Sequence, residues 1–168
     1  FYKNNIAMHP FNNGLQMKNI QFKYNIISES WTVYGGANHQ GFSQGIFIDS
    51  VTNLLLEGNV FDHNGGLFTV PNDPYGILPP GLTMSEATVT WFHHQAYVNS
   101  SNENVIFRNN IVAHGDGVQL RAGGLAEDNL FFRTINALSF GVASSPKPGG
   151  VSGTVQRNVF INGTDFRP

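Results

Sequence analysis

His93, His94 and Tyr97 stand within one short stretch of this chain, and Asn99 follows them. Further on come Asp116, Gln119 and Arg121, and further back Phe47 and Asp49. Imidazole titrates near neutral pH and suits a base. A guanidinium grips a carboxylate through two parallel bonds. A phenol can donate a proton. Gathered in one place, these groups would perform proton transfer beside a bound carboxylate. Trp91 and Phe92 flank the pair of histidines and offer flat apolar surface. Something in the chain must bring residues so distant in sequence together.

That something is a repeat. The stretch 104–132 holds two copies of one pattern: alternating apolar residues, a short polar step, then Asn and an apolar run. Aligned on the Asn, five copies appear, anchored at Asn25, Asn59, Asn110, Asn129 and Asn158. Asn19, Asn53 and Asn104 each precede an anchor by the same interval. A second type of segment alternates with these: 45–49, 95–99, 117–121 and 137–141, with 6–8 as a poorer copy. Its second and fourth residues are apolar, the period of a strand with one buried face. Phe47, Asp49, Tyr97, Asn99, Gln119, Arg121 and Ser139 then face outward.

Helical repeats would need a sustained 3.6-residue period, which no segment shows. The interval from Asn110 to Asn129 is too short for a propeller blade. Stacked turns of parallel strands fit, each burying its apolar side against the next at about 4.8 Å. The expected fold is therefore an all-β parallel solenoid of about five coils, a single domain over 1–168. The recurrent Asn would sit at bends, tolerate a left-handed backbone, and bond up the stack as a ladder through its amide.

The bulk composition agrees. Charged residues make up 12% of the chain against a usual share of about 25%. Asn and Gly take their place and suit tight turns. A net charge of −2 supplies no basic field for nucleic acid. No apolar run reaches the roughly 20 residues of a membrane helix, so no membrane partner is expected. The absence of Cys rules out disulfides and leaves the compartment open. The sequence begins and ends within repeats and reads as an excerpt of a longer protein. The segment 65–94 interrupts the period with Pro71, Pro74, Pro79 and Pro80 among apolar residues. It reads as a long packed loop insertion over one face. Smaller excursions are 30–43 and 144–150.

On the segments NLLLEGNVFDHN (53–64), HQAYV (94–98) followed by NVIFRNNIV (104–112), and GVQLRAGGLAEDNLFF (117–132), the chain resembles the right-handed parallel β-helix, or pectate-lyase-like, superfamily. The resemblance covers most of the chain outside the insertion. It implies a polysaccharide partner lying along the outer surface of one parallel sheet, and an extracellular or periplasmic setting. The superfamily includes lyases, hydrolases, epimerases and non-catalytic tailspikes, and fold alone does not choose among them.

The residues favour β-elimination on an acidic polysaccharide. Arg121 would neutralise the uronate carboxylate, His94 or His93 would take the adjacent proton, and Tyr97 would protonate the leaving oxygen. Asp49, Phe47, Asn99, Asp116, Gln119, Trp91 and Phe92 would bind substrate, the aromatic rings by stacking on sugars. A glycoside hydrolase needs two carboxylates at a set separation. Asp49 and Asp116 would lie roughly 9.6 Å apart if in register two coils apart, a marginal fit. A non-catalytic glycan-binding solenoid is the third reading. No cofactor is expected. Calcium would need converging carboxylates, and the acidic residues are scattered. The histidines show no zinc spacing, so none is assigned to metal; His63 and His114 are expected to stack at a turn. The oligomeric state is left open.

Overall fold

The computed structural model describes residues 6–10, 14–30, 43–65, 93–141 and 149–163. Every element among them is a strand, and every strand pairing is parallel. The insertion expected at 65–94 lies almost wholly outside the described residues, as do most of 30–43 and 144–150.

Each repeat contributes strands in the same order. The anchor segments begin with β2 (Met17–Lys23), β5 (Val51–Glu57), β8 (Glu103–Arg108), β10 (Gly124–Glu127) and β13 (Gly153–Gln156). These form a five-stranded sheet in the order β13-β10-β8-β5-β2. After each anchor Asn the chain turns into β3 (Ile26–Ser28), β6 (Val60–Asp62), β9 (Ile111–Leu120), β11 (Leu130–Thr134) and β14 (Val159–Ile161). The alternating segments are β1 (Ile6–Met8), β4 (Ser43–Ile48), β7 (His93–Val98) and β12 (Leu138–Phe140), joined by the second half of β9.

Strand β9 thus serves two faces. Its residues 111–113 pair with β6, and 116–120 pair with β7. Between them His114 takes a φ of 50° and redirects the chain. The two faces are joined through it into a nine-stranded sheet. This arrangement, two parallel sheets closing on one core, is compatible with a β-solenoid.

The sequence alternation decides what is inside. Ile46, Ile48, Ala96, Val98, Val118 and Leu120 are all fully buried. Phe47, Tyr97 and Gln119, between them, are partly exposed. Phe61, Phe107 and Phe131 fill the centre. Burying one such side chain is worth about 1.5–3 kcal/mol, which fixes the register, because a one-residue slip would turn the whole apolar set outward.

The anchor Asn residues form the expected ladder. Asn59 Oδ1 accepts from the backbone N and Nδ2 of Asn25 at 3.0 and 3.1 Å. Asn110 does the same for Asn59, Asn129 for Asn110, and Asn158 for Asn129. From Asn59 onward each Nδ2 also donates to a main-chain carbonyl of the preceding repeat, as Asn110 does to Leu56 at 3.0 Å; Asn25 Nδ2 donates to Lys23 in its own repeat.

The backbone role differs from expectation. The left-handed residue is the one before each anchor: Tyr24, Gly58, Asn109, Asp128 and Arg157. The anchor itself carries the side-chain bonds, and its predecessor makes the corner. Asn19, Asn53 and Asn104 do take positive φ, and their amides form a second, exposed ladder at 2.9 and 3.0 Å.

Candidate functional site

The register of β4, β7 and β9 sets the site. Phe47, Tyr97 and Gln119 are direct neighbours across three strands. One step on, Asp49, Asn99 and Arg121 continue the same rows, each N–H bonding the neighbouring strand. Asn99 Nδ2 donates to Asp49 Oδ1 at 3.1 Å, and the Ser101 hydroxyl donates to the same oxygen. Six residues assigned to one outward patch therefore share one face.

Their side chains interlock. The rings of Phe47 and Tyr97 stack with centroids 5.4 Å apart. The Arg121 guanidinium lies 4.6 Å from the centre of the Tyr97 ring, within cation–π range. Arg121 Nε donates to Gln119 Oε1 at 3.0 Å. Arg121 is thus held by Gln119 and Tyr97. Burial pushes the Tyr97 phenol above its ordinary value of 10.0; Arg121 acts against the shift and Asp49 adds to it.

At the other end of β7, His94 is in register with Gln44 and Asp116. His94 Nδ1 is 2.6 Å from Asp116 Oδ2, and the two residues are 1% and 3% exposed. The His94 ring sits 5.4 Å from that of Tyr97, so the buried pair joins the outer patch through Tyr97. His93, also buried, precedes it in the strand. Both histidines belong to the strand β7. Trp91 and Phe92 lie outside the described residues.

Two carboxylates expected to face one another do not. Asp116 is in the row of His94, whereas Asp49 is in the row of Arg121. Five residues along a strand span about 16 Å. The separation exceeds the range a hydrolase uses, because Asp116 precedes the segment 117–121 that aligns with 45–49, whereas Asp49 closes its own.

Gln95, which no motif singled out, shapes the floor. It is fully buried between His94 and Ala96. Its Oε1 accepts from Asn64 N and Nδ2 at 3.1 and 2.7 Å, and its Nε2 donates to the carbonyls of Ala113 and His114. Gly115 leaves the room: a Cβ there would come within 2.7 Å of Gln95 Nε2. The signal was present, because Asn64 plus the interval between successive anchors lands on a glycine.

A second polar group lies at the next corner. His63 and His114 stack with centroids 4.5 Å apart, as expected, and both bond Asp62 Oδ1 through Nδ1, at 2.9 and 2.8 Å. Burial pushes the Asp62 carboxyl up, but the bonds from His114 and His63 outweigh it and hold it below the usual carboxylate range.

Comparison with protein-family models, with curated proteins and with solved structures gives no match for this chain.

Proposed function

We propose that the chain is a right-handed parallel β-helix that cleaves an acidic polysaccharide by β-elimination, and that it works in an extracellular or periplasmic setting where such polymers are met. The observation that carries this reading is the convergence on Tyr97: the Arg121 guanidinium lies over its ring, and the ring of His94, bonded to Asp116, stands 5.4 Å from it.

Depth divides the roles. Arg121 and Tyr97 are partly exposed and meet the polymer; His94, beside Tyr97, is buried. The Nη groups of Arg121 grip the uronate carboxylate and make the adjacent proton acidic. Asp116 holds the Nδ1 proton of His94, so Nε2 is the basic nitrogen. Because His94 is buried in the unbound protein, it removes the proton next to the carboxylate only once polymer binding moves the side chains that cover it aside. The electron pair forms the new double bond as the glycosidic oxygen departs, and the Tyr97 phenol protonates that oxygen. A phenol pushed upward by burial is protonated at neutral pH and so has a proton to give. Phe47 and Asn99 lie on the same face and support sugar binding.

The test is incubation with alginate, pectin, chondroitin and ulvan, following the ultraviolet absorbance of the conjugated unsaturated product. Product from at least one polymer supports the reading. Silence on all four, with the folded protein, overturns it for those classes. The Phe47–Tyr97 stack favours a second reading, a non-catalytic glycan-binding face. It is distinguished by retained polymer binding without product.

A further inference from the structure

We propose that Asp62, His63 and His114 form a binding site for a divalent transition metal ion of the zinc class, separate from the Tyr97 face. One ligand atom from each lies within 4.8 Å of the others. The fold builds this set. Asp62 closes β6, and His63 follows it into the corner with a φ of 51°. His114 occupies the equivalent corner of the next repeat with a φ of 50°. The matching backbone turns bring both imidazoles over one carboxylate oxygen.

Two imidazoles and one carboxylate suit zinc, cobalt or iron and disfavour calcium or magnesium, which prefer oxygen. The geometry is close to what such an ion needs. Bonds of about 2.0–2.1 Å place two ligand atoms about 2.9 Å apart at a right angle and about 3.3 Å apart at a tetrahedral one. The Nδ1-to-Oδ1 separations are 2.9 and 2.8 Å. Opening by a few tenths of an ångström admits the ion. Each ring then carries its proton on Nε2, so a neutral imidazole gives up no net proton on binding. The side chains are 18%, 13% and 35% exposed for His63, His114 and Asp62, so an ion can enter from solvent. The edge of Phe132 against His114, at 5.4 Å, walls one side. Three protein ligands leave coordination positions for water or a small anion.

The test is calorimetric titration of the full, tag-free chain with zinc, and with cobalt followed by its visible absorption. The expected result is one ion per chain and a cobalt spectrum of nitrogen and oxygen ligation. Asp62→Asn and His63→Asn, each checked for fold by circular dichroism, should weaken zinc about a hundredfold or more, because even losing an outer partner of a ligand costs about 10–100-fold. His63→Asn keeps a residue that tolerates the left-handed corner. His93→Ala should leave the affinity unchanged. No binding by the folded protein, or binding unaltered in both Asp62→Asn and His63→Asn, overturns the proposal.

Discussion

His94 Nδ1 lies 2.6 Å from Asp116 Oδ2, and both side chains are buried. Asp116 reaches this place because β9 turns at His114 and pairs with β7 from residue 116 onward. A buried carboxylate bonded to Nδ1 fixes the tautomer and orients the ring. Asp116→Asn keeps the shape and removes the charge. Elimination should fall by about 10²–10⁴-fold, the usual share of general acid–base catalysis, with an unchanged circular dichroism spectrum. Steady-state kinetics of the two proteins on the same polymer checks this.

The Asn ladder sets a second prediction. Asn110 accepts two bonds from buried Asn59 and donates to Leu56 and Asn129. Asn110→Ala leaves several buried groups unmet, each costing about 1–3 kcal/mol. Chemical denaturation should show a loss of about 2–4 kcal/mol. Asn25→Ala, at the partly exposed first rung, should lose about 1 kcal/mol or less.

Gly117 stands beside Asp116, and a Cβ there would come within 2.1 Å of the Ala137 carbonyl. That partner is backbone and yields only if β12 moves. Gly117→Ala should destabilise by about 1–3 kcal/mol through overpacking. It should also lower elimination, because the shift moves Asp116. Thermal melts read alongside the activity assay would separate the two effects.

Glu57 bonds Lys23 at 2.8 Å and Arg108 at 2.9 Å across three strands of one sheet. The hydrogen bond from Lys23, chiefly, and that from Arg108 hold its carboxyl below the ordinary 4.5, against desolvation. The folded state therefore binds its proton less readily than the unfolded chain. The resulting stability is present above about pH 4.5 and is lost as pH falls below it. Melting temperatures of the protein and of Glu57→Gln should differ at pH 7 and converge in acid. A difference that persists at low pH would contradict this.

The repeated intervals made much of the scaffold readable. Because the anchor Asn residues bond one another, their spacing had to appear in the sequence, and it gave the stacking order. The alternation of Ile46, Phe47 and Ile48 likewise reflects one buried face. The site was readable only in part. Phe47, Tyr97 and Gln119 share a row because three similar segments align. The pairing of His94 with Asp116 depends on where β9 changes face, and no residue type announces that bend. Histidine at a left-handed corner is one of several residues able to make it. Asp49 closes its segment whereas Asp116 precedes the one aligned with it, so the two carboxylates fall in different rows. Gln95 escaped notice because it bonds Asn64 in a ladder whose next equivalent position is Gly115.

Arg121, Tyr97 and His94 are proposed to act together on a uronate polymer. The most direct test is the initial rate of unsaturated product formation by the protein, by Arg121→Ala and by His94→Ala, on whichever polymer the unmodified protein cleaves. Each variant should stay folded and lose about 10²-fold or more. Folded variants that both retain the full rate would contradict the proposal.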